Sequence, residues 1–123
     1  MANTTVHVTT LTKNATTANP TGTAIAHANT HIITPTKPLR DIIIRIAHTT
    51  TSAKSATIKA GDHPPALAAG QGDLSVTLAD ATAGTIEYFV GPLEAARFLQ
   101  DDGTIHVEFA ENTTGFVEAI QLP

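Results

Sequence analysis

Short β-branched runs, each closed by Gly, Pro, Asn or Asp, recur along the whole chain, and they leave little choice of fold. The clearest is Leu39-Arg40-Asp41-Ile42-Ile43-Ile44-Arg45-Ile46. The period-2 rule puts Ile42, Ile44 and Ile46 on one face, with Asp41, Ile43 and Arg45 on the other. An isoleucine between two charges marks a second face that is itself partly covered. Threonine, roughly one residue in six, favours extended backbone and keeps an exposed strand face soluble.

The same alternation continues on both sides of this run. Val6, Val8 and Leu11 predict a first strand at about Thr4 to Thr12. Asn19-Pro20-Thr21-Gly22 is a turn. Thr23 to Thr34 is a second extended stretch, punctuated by Pro35 and Pro38. Leu39 to His48 and Ala56 to Ala60 form a hairpin or a pair that switches sheets. Gly61 to Gly72, with Pro64-Pro65 and three glycines, is a long loop. Asp73 to Leu78, Thr85 to Val90, Thr104 to Ala110 and Phe116 to Leu122 are further strands. Leu93 to Leu99 admits one helical turn, but the Asp101-Asp102-Gly103 turn favours a short strand at Arg97 to Gln100. The reading is all-β. It is a single β-sandwich domain over residues 1–123, Ig-like or jelly-roll, of about 8–9 short strands. Residues 1–20, the most polar, are a candidate extended arm.

Ile, Leu, Val and Phe make up about a quarter of the chain, above the roughly 20% below which chains stay disordered. With four Phe, one Tyr and no Trp, the core must be aliphatic and thin. Net charge is −4, and the seven Lys and Arg are scattered, so no basic footprint for nucleic acid is present. The absence of cysteine excludes disulfides, thiolate metal sites and a thiol nucleophile. No run is long and apolar enough to predict a membrane span, and no signal peptide is recognisable at Met1-Ala2-Asn3-Thr4.

Candidate chemistry is sparse. The six histidines are His7, His27, His31, His48, His63 and His106. His27 and His31 have helical spacing in an extended context, and no HExxH or HxH motif occurs, so no metal or other cofactor is expected. His106 and Glu108 share one strand face as a solvated pair. Asp62-His63 lacks a nucleophile elbow, since Ser52, Ser55 and Ser75 lie in ordinary turns or strands. Asp73, Asp80, Asp101 and Asp102 form no dense calcium loop. The sequons at Asn3, Asn14 and Asn112 are what a Thr-rich chain produces by chance. No catalytic residue is assigned, and the chain reads as non-enzymatic.

Four segments carry a resemblance. They are Ile58-Lys59-Ala60-Gly61-Asp62-His63-Pro64-Pro65-Ala66, Gly70-Gln71-Gly72-Asp73-Leu74, Val90-Gly91-Pro92-Leu93-Glu94-Ala95-Ala96-Arg97-Phe98, and Thr114-Gly115-Phe116-Val117-Glu118-Ala119-Ile120-Gln121-Leu122-Pro123. Over about residues 4–123 the chain resembles the small β-sandwich capsid decoration (cement) proteins of tailed bacteriophages. The resemblance implies a virion protein on the capsid surface, made in the host cytoplasm. It further implies the major capsid protein as partner, a homo-oligomer with a trimer favoured, and no nucleic-acid or membrane partner. It carries no active site.

The residues themselves suggest where contacts form. Val6, Val8 and Leu11 make a strand that can add to a neighbour's sheet edge. Asp62, His63, Pro64, Pro65 and Leu67 lie in a loop whose prolines lower the entropy lost on docking. The alternatives are a phage head-completion or tail structural protein and a carbohydrate-binding β-sandwich module. Sugar binders present aromatic platforms, and Tyr88 alone argues against the last.

Overall fold

The structure is a computed structural model, and it describes residues 2–18, 22–61, 72–82 and 84–123. Within these residues ten strands form two sheets. They are β1 (Asn3–Thr5), β2 (Val8–Thr10), β3 (Thr23–Ala24), β4 (Thr30–Ile33), β5 (Ile42–His48), β6 (Lys54–Ile58), β7 (Leu74–Leu78), β8 (Ile86–Val90), β9 (Ile105–Phe109) and β10 (Gly115–Gln121). One sheet runs β1-β4-β9-β6-β7. The other runs β2-β10-β5-β8, with β3 also paired to β10. The chain is thus an all-β sandwich. A 3-10 turn, Leu39–Asp41, leads into β5, and a single helical turn, α1 (Ala95–Phe98), precedes β9.

The alternating faces assemble the core. Ile42, Ile44, Ile46, Val117 and Ala119 from the second sheet meet Ile33, Ala56, Ile58, Ile105 and Val107 from the first, all fully buried. Consecutive β5 and β6 lie in different sheets, so the connection after His48 is the sheet-switching pair rather than a hairpin. The strand predicted at Arg97 to Gln100 is α1 and its exit instead. Leu99 and Phe98 donate to the carbonyls of Ala95 and Glu94, and Gln100 donates to Thr104 across the Asp101-Asp102-Gly103 turn.

The N-terminal stretch is not a free arm. β1 pairs parallel with β4, and β2 pairs parallel with β10. Between them the chain crosses from one sheet to the other at Val6, which is buried in the core and donates its N–H to Ile32. Leu11 donates to the Gln121 carbonyl at 2.8 Å. The buried Gln121 amide accepts from Thr36 N–H and donates to the hydroxyls of Thr10 and Thr36, so its polar atoms are satisfied where the arm ends.

Two positions set stability limits. Gly115 opens β10 at φ +133, and a Cβ there would sit 1.9 Å from the Ala47 carbonyl oxygen. Gly115→Ala is expected to cost about 2–4 kcal/mol through strain and overpacking. The readout is a lower urea midpoint at unchanged slope.

His31 is fully buried on β4. Its Nε2 accepts from Ala26 N–H at 3.1 Å, and its ring meets Phe109 edge-on at 4.9 Å. Burial pushes its pKa below the ordinary 6.5, against the opposing pull of backbone groups of Val107 and Asn29. The unfolded chain therefore takes up this proton first. The stability tied to neutral His31 is complete above pH 6.5 and is lost as pH falls through the depressed folded-state value. His31→Gln keeps an acceptor for Ala26 and should flatten that limb of a stability–pH profile measured by urea unfolding.

Candidate functional site

The outer face of the second sheet carries an unusual cluster. Residues 116, 118 and 120 of β10 point away from the core, as do 43, 45 and 47 of β5 and 87 and 89 of β8. The register sets Glu118 opposite Arg45, and Arg45 opposite Phe89, while Ala47 faces Glu87. One guanidinium is thereby placed between two carboxylates. Arg45 Nε donates to Glu118 and Nη1 to Glu87. Burial opposes the charge on Arg45, but the hydrogen bonds and charges of Glu118 and Glu87 outweigh it and raise the pKa. Arg45 and Glu118 are buried although they face outward, while the Glu87 side chain is 51% exposed.

A groove of about 300 Å³ lies over this cluster. The connection after β2 supplies Leu11, Thr17 and Ala18 to one wall. Phe89 and Glu87 form the other, and Arg45, Ile120 and Thr9 complete the lining. Phe89 is 69% exposed, and it is the one large apolar side chain so exposed among the described residues. The groove can seat an apolar group beside a charged rim. Its described lining is apolar side chains, threonine hydroxyls and the Arg45–Glu87 pair.

The residues expected to make contacts fare differently. Val6 is a core residue, 2% exposed, so it is withdrawn from any interface. Val8 is half-buried and packs against the core. The single strand expected to add to a neighbour's sheet is two strands, β1 and β2, each paired inside the chain as the outermost strand of its own sheet. Leu11 does reach a surface site, the groove wall. Asp62, His63, Pro64, Pro65 and Leu67 lie outside the described residues.

The stems of that loop are described, and they are tied together. Asp73 accepts from Ala60 N–H at 2.6 Å and from Lys59 Nζ at 3.0 Å. The Ala60 bond and then the Lys59 bond hold its carboxyl below the usual range. From α1, Arg97 donates to the carbonyls of Gly72 and Asp73, both at 3.1 Å. Gly61 N–H returns a bond to the Arg97 carbonyl at 2.7 Å, and Gln100 donates to Ala60.

Among the described residues no three His, Asp or Glu side chains converge as a metal site. His31 and His48 are interior, His7 is exposed, and His27 and His106 are half-buried. Glu108 accepts from Thr30 rather than forming an ion pair with His106. Compared with protein-family models, with curated proteins and with solved structures, the chain finds no match.

The Arg45 cluster makes a measurable prediction. Arg45→Met leaves Glu118 buried without its countercharge and is expected to cost about 3–5 kcal/mol. Combining it with Glu118→Leu removes the stranded carboxylate and should recover most of that loss. Urea unfolding of both variants checks this, and equal losses in the two would count against it.

Proposed function

We propose that this chain is a non-enzymatic virion protein that decorates and stabilises the outside of a tailed-phage capsid, docking as a homo-oligomer on the major capsid protein. The observation that supports this reading most is where three of the resembling segments lie. Ile58 to Gly61 and Gly72 to Leu74 are the stems of the long loop, and Leu93 to Phe98 contains the arginine that binds both stems. These stretches form one structural unit at one end of the sandwich. A loop held on a rigid base is the usual way a small scaffold presents a contact surface.

The chemistry of the surface fits the same role. The outward residues of β6 and β7 are Ser55, Thr57, Ser75 and Thr77, a polar face of small side chains suited to packing against another protein. A protein that binds only the assembled shell stabilises that shell by mass action. A trimer is the favoured oligomer, as in the family that the sequence resembles.

Purified protein mixed with particles lacking it provides the test, read by cryo-electron microscopy and by the temperature at which particles release their genome. The reading expects lattice-wide occupancy on the outer shell and a higher release temperature. Deleting the loop between Gly61 and Gly72 should lower occupancy while the far-UV spectrum stays β-rich. Density confined to the portal or tail, or no association at all, would overturn the proposal.

A further inference from the structure

The β8 edge and the groove beside it have the features of a peptide-binding site. β8 ends the second sheet, and no described strand pairs with its far side. Such an edge presents unpaired main-chain donors and acceptors to any extended segment that approaches. Two side chains on this edge strand face outward into solvent. Phe89 is 69% exposed, and Glu87 is 51% exposed at its side chain. They stand two residues apart, so a strand laid along β8 would bring alternate side chains against each in turn.

Charge narrows what that strand carries. Arg45 is the basic residue of the groove lining, and it is shared between Glu87 and Glu118. Two carboxylates against one guanidinium leave the cluster with a net negative charge. The Glu118 Oε2 atom is buried and has no hydrogen-bond partner among the described residues. Beside this sit the apolar surfaces of Phe89, Leu11, Ala18 and Ile120. The groove volume of about 300 Å³ reaches the lower end of ligand-site sizes. A neutral apolar segment would leave the rim unmatched, and an acidic one would be repelled.

We propose that β8 and the adjoining groove receive an extended segment of a partner protein in which a basic and an apolar side chain stand two residues apart. The segment adds as a strand to β8. Its lysine or arginine pairs with Glu87 at the rim, and its apolar side chain covers Phe89 and enters the groove. The inference does not rest on the capsid reading, since any protein bearing such a segment would serve.

The probe is a capped synthetic heptapeptide, Thr-Val-Thr-Lys-Thr-Leu-Thr, titrated into isotope-labelled full-length protein and followed by amide chemical shifts. The expected result is saturable shifts on β8, on Arg45 and Ile120, and on Leu11, weakening as salt rises. Exchanging the peptide lysine for glutamate should weaken binding about fivefold or more. Phe89→Ser, at an exposed site that leaves the fold intact, should weaken it about tenfold or more. Glu87→Lys should reverse the preference and favour the glutamate peptide. Absence of shifts at millimolar peptide, or shifts indifferent to Phe89→Ser and to the peptide charge, would overturn the proposal. So would sedimentation showing that the wild-type protein dimerises and Phe89→Ser does not, because the edge would then belong to a second copy.

Discussion

The distance between the two sheets governs everything else in this molecule. Ile42, Ile44 and Ile46 on one side and Ile33, Ile58 and Ile105 on the other form a single aliphatic layer. Sheets packed face to face stand about 10 Å apart, a gap that branched aliphatic side chains fill without aromatic bulk. A layer so thin has little volume to spare at its margins. The chain closes those margins by crossing strands and by polar side chains. Val6 carries the N-terminus from one sheet to the other, and Gln121 seals one end with three hydrogen bonds. The other end holds His48 on the inward face of β5. It is fully buried, and neither ring nitrogen has a hydrogen-bond partner among the described residues. That end is the less well satisfied, since a buried polar group left unpaired costs about 1–3 kcal/mol.

Sequence periodicity reveals this layer because each strand alternates cleanly. Ile42, Ile44 and Ile46, and Ile105, Val107 and Phe109, announce their inward faces without reference to any other part of the chain. Periodicity is blind where a strand changes sheet. Thr4 to Thr12 reads as one strand, yet β1 and β2 belong to different sheets, because Val6 turns into the core between them. Nor can a local pattern see what holds α1. Leu93 to Leu99 is rich in helix formers, and only the Asp101-Asp102-Gly103 turn after it favours a strand; the bonds of Arg97 to carbonyls 24 and 25 positions away, which no local pattern shows, go with the helical turn.

The groove was still less legible, for the same reason. Arg45 is visible in the sequence as a charge on the second face of the best strand. Its partners Glu87 and Glu118 are 42 and 73 residues distant, and nothing local connects them. Glu87 and Phe89 read as ordinary outward positions of a short strand. Only the sheet order shows that their strand is an edge. The alternation of Val6, Val8 and Leu11 points to strand pairing with a neighbour, and Leu11 meets the surface site by lining the groove instead.

The two faces of the sandwich therefore differ in kind. On the first sheet the outward side chains of β6 and β7 are small hydroxyls, which hydrate easily and carry little directional charge. On the second sheet an arginine is held below the surface by two carboxylates, and one phenylalanine stands exposed beside it. Replacing a buried ion pair with apolar residues is often neutral or stabilising, so stability alone does not account for such a cluster. What the cluster supplies is a fixed charge pattern. Arg45 holds Glu118 and Glu87 in one geometry, and the backbone register holds Phe89 beside them. A partner that meets this edge finds charge and apolar surface already placed, which lowers the ordering cost on association. The loop stems follow the same logic at the end of the sandwich, where Arg97 donates to the Gly72 and Asp73 carbonyls of one stem and its own carbonyl accepts from Gly61 N–H of the other.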